Sequence, residues 1–140
     1  MKQVISTKDA PGAVGPYSQA IRAGSMVFCA GQIPLDPKTG QIESQDVGEQ
    51  AKRVLENIGA VLQAAQLNFS HVVKTTVFLT DLADFQTVNA IYAGFFREHP
   101  PARSTIQVSA LPKGAKVEIE AIAVAEDGGS SGKTASDTSG

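Results

Sequence analysis

The chain has one cysteine, two histidines and no long apolar run, and each shortage narrows what it can be. A single thiol, Cys29, cannot form an intramolecular disulfide. It lies in the apolar run Met26-Val27-Phe28-Cys29-Ala30, with no local base to activate it, and is read as a small buried hydrophobe. His71, His99 and Cys29 supply no pair at ligand spacing, so no metal centre is expected. A serine triad needs a histidine base, and neither histidine is placed for one. His99 falls where a predicted second helix ends and is read as a cap there; His71 opens a predicted strand and is given no chemical role. No stretch approaches the ~18 apolar residues of a membrane span. The first residues, Met1 to Ser6, form no signal-peptide core, and a soluble, cytoplasmic protein is expected. Basic residues are outnumbered, 12 against 14, for a net charge of −2, so the electrostatic footprint of a nucleic-acid binder is missing. Neither of the glycine-rich phosphate-binding patterns is present; Gly12 and Gly15 flank a proline-containing loop, and no nucleotide cofactor is expected.

What is present fits one domain. The 140 residues are 42% apolar. Composition changes at Glu126, after which glycine, serine, threonine and aspartate dominate; residues 126–140 are expected to be a disordered tail behind a domain of residues 1–125. Val4-Ile5 suggests a short strand, and Ala20–Ala23 with Met26–Ala30 a hairpin turning at Gly24-Ser25. Asp46, with Glu49 three residues on, signals a helix start. Val47, Ala51, Val54, Leu55, Ile58, Leu62 and Ala65 then recur on one helical face, leaving Lys52, Arg53, Glu56 and Asn57 outside it. Val72–Leu79 reads as a strand. Asp84 is placed to cap a second helix with Phe85, Val88, Tyr92, Phe95 and Phe96 inward, which Pro100 and Pro101 prevent from continuing. Strands at Ser104–Ala110 and Lys116–Ala125, joined by a turn at Leu111–Gly114, complete an α+β fold: a mixed sheet of about six strands with both helices on one face.

The last strand alternates. Val117, Ile119, Ala121 and Ala123 should face the helices; Glu118, Glu120, Ile122 and Val124 should face away. Two carboxylates and two apolar residues on an uncovered face point to an interface, hence a cyclic homo-oligomer.

Arg103, directly after Pro100-Pro101-Ala102, carries the fork that grips a planar carboxylate. Glu118 or Glu120 could stand beside it as a proton-handling group. The residues alone favour an ordinary cross-strand ion pair on an exposed sheet over such a site.

Several ordered blocks resemble one family across essentially all of residues 1–125. They are Ala10-Pro11 through Gly15-Pro16-Tyr17-Ser18-Gln19, Gly31-Gln32-Ile33-Pro34, Lys74-Thr75-Thr76-Val77-Phe78, Asp84-Phe85 with Val88-Asn89, Pro101-Ala102-Arg103-Ser104, and Leu111-Pro112-Lys113 followed by Val117 to Ala123. In these the chain is similar to the RidA/YjgF family of reactive intermediate deaminases. The resemblance implies a chorismate-mutase-like fold, a homotrimer with sites in clefts between subunits, and hydrolysis of 2-imino acids or their enamines to 2-keto acids and ammonia. The substrates it implies include 2-iminobutanoate and 2-iminopropanoate with its tautomer 2-aminoacrylate, handled without metal or organic cofactor. Carried over by motif, Arg103 would bind the substrate carboxylate and Glu118 would activate water. Tyr17 and Asn89 would line the pocket, and Gly31 would bring backbone groups close to the substrate. Two positions depart from the pattern: Ala30, where many relatives have serine, and Thr105, where many have cysteine. Thr105 can hold a hydrogen bond at the site but supplies no thiol. Two other readings stay open at this point: a ribonuclease or translation inhibitor, and a trimer that binds small carboxylates or regulates a partner without turnover.

Overall fold

A computed structural model describes residues 1–125; the tail expected at 126–140 lies outside the described residues. Six strands form one mixed sheet: β1 (Lys2–Ile5), β2 (Ala20–Ala23), β3 (Met26–Gln32), β4 (Val72–Leu79), β5 (Ala102–Gln107) and β6 (Val117–Val124), in the order β1-β2-β3-β6-β4-β5. All neighbours are antiparallel except β4 and β5. A parallel pair cannot be joined by a tight turn. The β4–β5 connection accordingly carries α2 (Phe85–Phe95), while α1 (Val47–Ala64) lies between β3 and β4 in the chain.

The hairpin β2–β3 turns where glycine permits it, at Gly24 with φ of 62°. Helix α1 starts at Asp46, whose side chain accepts from the Glu49 amide at 2.9 Å. Its apolar stripe is buried as expected, with Val54, Leu55, Ile58 and Leu62 fully enclosed against Val117, Ile119 and Val27. Asn57, expected outside the stripe, is buried too. Its Nδ2 donates to the Leu35 carbonyl at 3.0 Å, so a loop, not solvent, covers that flank of the helix.

Three local expectations need correction. Asp84 does not cap α2. A 3₁₀ turn, Leu82–Asp84, precedes the helix, and Asp81 caps that turn by accepting from Ala83 at 2.9 Å. Asp84 already has helical backbone angles, which takes its side chain away from the capping position. His99 is not a helix cap either: α2 ends at Phe95, and His99 turns the chain with φ of 52° just before Pro100. Phe85, expected inward, is exposed because it opens the helix beside the edge strand β5, whereas Val88, Tyr92 and Phe96 are buried.

The alternation of β6 holds. Val117, Ile119, Ala121 and Ala123 are buried beneath the helices. On the opposite face Val4, Met26, Phe28, Ile106 and Val124 are each more than a third exposed, and among the described residues nothing covers them.

Candidate active site

The side chains singled out in the sequence fall into two groups on opposite faces of the sheet. The first surrounds Glu118. Its carboxylate opens into a cleft of about 700 Å³ bounded by the loop of residues 11–17, the end of β3 at Ala30–Ile33, and the turn at Pro112 and Lys113. Tyr17 stands at the rim, half exposed, and its hydroxyl accepts from the Val14 amide at 3.4 Å. Burial pushes the Glu118 pKa above its ordinary value, and neighbouring Glu120 adds to the rise.

Gly31 has a more exact role here than general backbone access. A Cβ built on it would fall on the Glu118 carboxyl group, 2.9 Å from Cδ and 3.2 Å from Cγ. The register between β3 and β6 slips between Cys29 and Gln32, and the bare glycine backbone at that slip is the wall against which Glu118 lies. Gly31→Ala is therefore expected to displace the carboxylate. A misplacement of about 1 Å can cost about 10²-fold in rate; kinetics and thermal melting together check this, with turnover falling far more than stability.

The second group surrounds Arg103 on β5. Its Nη1 donates to Asn89 Oδ1 at 2.9 Å, and its guanidinium lies 4.8 Å from the Tyr92 ring centroid and 5.4 Å from that of Phe85. Tyr92 is itself held by a 2.6 Å hydrogen bond between its hydroxyl and that of Thr75, the residue opposite Arg103 on β4. Thr105 lies two residues along on the same face, opposite buried Val77. The Arg103 fork thus has an amide and two rings as neighbours. Among the described residues only Arg53 forms ion pairs, with Asp36 and Glu56.

The expectation that β6 runs alongside Arg103 is overturned. Strand β4 lies between β5 and β6. Arg103 pairs with Thr75 on the helix side, whereas Glu118 pairs with Phe78 and points to the other side. The two sites on β4 are three residues apart, about 10 Å along the strand. The cross-strand ion pair thus does not form within the chain. What one chain presents is a cleft carboxylate on one face of the sheet and, on the other, a guanidinium without a carboxylate partner among the described residues.

Sequence reasoning missed three buried amides, two of which, Gln19 and Asn57, hold the cleft walls. Gln19 ties down residues 7–11, Asn57 holds Ile33 and Leu35, and Gln50 links Ser44 to Lys116. Gln50 falls off the apolar stripe of α1, and only the tertiary structure reveals its burial. Among the described residues no group of three or more His, Cys, Asp or Glu side chains could hold a metal ion, and no helix is long and apolar enough to cross a membrane.

Known proteins are similar to this chain in sequence and fold. The family model described as Endoribonuclease L-PSP matches residues 7–125. The 2-iminobutanoate/2-iminopropanoate deaminase of Salmonella typhimurium is 54% identical over 127 residues, covering 89% of this chain and 98% of that one. The human protein of the same name is 52% identical over 124 residues, covering 89% and 90%. The crystal structure of E. coli TdcF with bound serine superimposes with a TM-score of 0.84 at 52% identity, covering 89% of this chain and 99% of that one. Matched by the family model over residues 7–125 and by relatives more than half identical over most of its length, the chain belongs to the endoribonuclease L-PSP family, the RidA/YjgF family that its sequence resembles.

Proposed function

We propose that the protein hydrolyses reactive 2-imino acids and their enamine tautomers to 2-keto acids and ammonia. The observation that carries this reading is the Arg103 guanidinium, held by Asn89 and two aromatic rings and left without a carboxylate partner among the described residues. Such a fork accepts both oxygens of a small planar carboxylate. The relatives named as iminobutanoate and iminopropanoate deaminases, and TdcF with its bound amino acid, support the same substrate class.

The chemistry needs little more than position. A protonated imine carbon is already electrophilic. Glu118, its pKa raised by burial and by Glu120, removes a proton from water as the oxygen bonds to C2, giving a carbinolamine. The protonated carboxyl then returns the proton to nitrogen, the C–N bond breaks, and ammonia leaves as the hydroxyl gives its proton to the Glu118 carboxylate and the carbonyl forms; that proton then passes to ammonia, which departs as ammonium. No redox partner enters this balance, and every step is a proton transfer or an addition and its reversal.

Glu118 and Arg103 can serve one substrate only when supplied by two copies of the chain. The uncovered apolar sheet face beside Glu118 is where the second copy would pack, and contact between two different patches makes a ring when the rotation between copies closes. A homotrimer with one site at each boundary satisfies this. Thr105 would sit beside Arg103 at that boundary, contributing its hydroxyl or backbone. The ribonuclease reading gains nothing from the geometry: His71 Nδ1 accepts the Asn68 amide at 3.1 Å in a turn, and His99 shapes a bend before Pro100.

The direct test generates 2-iminobutanoate with a threonine dehydratase and follows its decay with and without the protein. Acceleration proportional to protein concentration is expected, and an unchanged decay rate would exclude deaminase activity on this substrate.

A further inference from the structure

Gln19 is almost completely buried, yet its side chain makes four hydrogen bonds to backbone. Its Oε1 accepts from the Thr7 amide at 2.7 Å. Its Nε2 donates to the carbonyls of Thr7 at 3.1 Å, Ala10 at 3.3 Å and Pro11 at 2.7 Å. Its own carbonyl accepts the Ala30 amide at 2.9 Å, next to Gly31. One residue thus fastens the start of the cleft loop to the strand that backs Glu118.

The loop has little else to hold it. Between Thr7 and Ser18 the remaining hydrogen bonds among the described residues are local: Asp9 to Thr7, Val14 to Tyr17, and Tyr17 to Gly15. Ala10 is the one buried apolar anchor, while Val14 and Tyr17 stand in solvent. A loop of this kind, short of buried contacts, opens at low free-energy cost unless a tether prevents it. Only a side chain with both a donor and an acceptor can close the ring of bonds seen here, and glutamine has the length to reach from the start of β2.

We propose that Gln19 is a positioning residue: it sets the placement of the loop of residues 11–17, and through it of Tyr17, over the Glu118 cleft. The inference deepens the deaminase reading and rests on it for the kinetic consequence; the placement of Tyr17 itself does not depend on that reading. Gln19→Leu removes the donor and the acceptor at similar volume. Gln19→Glu keeps an acceptor for Thr7 but turns a carboxylate toward the carbonyls of Ala10 and Pro11.

The test labels the protein with 3-fluorotyrosine. The chain has two tyrosines, Tyr17 and Tyr92, so two ¹⁹F resonances result, assigned by Tyr17→Phe. Both Gln19 variants are expected to shift or broaden the Tyr17 resonance and leave that of Tyr92 in place. With imine substrate, kcat/KM is expected to fall about tenfold or more, as misplaced binding groups lose rate steeply. Adding Gln19→Leu to Tyr17→Ala should then cost little beyond Tyr17→Ala alone, since residues acting through one another are not additive. If Gln19→Leu fails to fold, Gln19→Glu carries the same readouts. An unmoved Tyr17 resonance with a lowered melting temperature would overturn the proposal and leave Gln19 a structural tether. A shifted resonance in a protein inert toward imines would sustain the positioning role and count against the deaminase reading alone.

Discussion

Glu118→Gln is expected to lower kcat for 2-iminobutanoate by about 10²–10⁴-fold, the usual worth of a positioned general base. The amide is nearly the same shape, so the cleft and the Gly31 wall remain, but it cannot take a proton from water. The sign of the stability change runs the other way. Burial raises the Glu118 pKa, so the folded chain binds this proton more tightly than the unfolded chain does. The proton's stabilising contribution is present at low pH and is lost as pH rises through the raised pKa. At neutral pH the ionised carboxylate therefore carries a burial penalty that glutamine lacks, and the variant should melt no lower than the parent. Activity has the opposite dependence: the base works only when ionised, so kcat falls as pH drops through that pKa. In the substrate complex the guanidinium is matched by the substrate carboxylate, so burial and Glu120 set the position of this acid limb. It should lie above the ordinary glutamate value of about 4.3 and vanish in Glu118→Gln. A variant with near-normal kcat would remove Glu118 from the chemistry.

Arg103→Ala is expected to cut kcat/KM by about 10²-fold or more, because two hydrogen bonds to a charged group are lost, each worth about 1.5–3 kcal/mol. The stronger experiment mixes this variant with Glu118→Gln by unfolding and refolding the two chains together. Each is nearly inactive alone. If every site takes Glu118 from one copy and Arg103 from another, half of the donors on each side are intact. Random assembly then restores about one quarter of the sites. If both residues served a site within one chain, mixing would restore nothing. Lysine at position 103 should not substitute well, since a point charge lacks the planar fork and stacks less well on the Phe85 and Tyr92 rings.

The fold was legible wherever side-chain period decides it. The α1 stripe and the β6 alternation placed the core and put Glu118 on the face away from the helices, as found. Strand order was not legible, because neighbours in a sheet need not be neighbours in the chain. Reading β5 and β6 as a hairpin joined by the turn at Leu111 set Arg103 beside Glu118, where β4 in fact intervenes. The start of α2 was misplaced for a local reason: Asp81 and Asp84 are both capping residue types, and the 3₁₀ turn decides between them. Gly31, Gln19 and Asn57 show a third kind of limit. Their roles depend on which atoms arrive opposite them, and those atoms lie between 8 and 87 residues away.

The position of β6 bears on how the molecule is made. Among the described residues the last strand to be synthesised, β6, is an interior strand, paired with β3 on one side and β4 on the other. Until residue 124 has left the ribosome, the two halves of the sheet have no shared partner, and each presents an open edge. The pairing of Met26 with Val124 closes a loop of nearly a hundred residues, which costs entropy before it returns any contact. Folding should therefore be all-or-none and wait for β6, and chains truncated before Val117 should be sticky fragments rather than shortened enzymes. A nascent-chain length series probed by protease would show the protected state emerging only after β6 clears the exit tunnel.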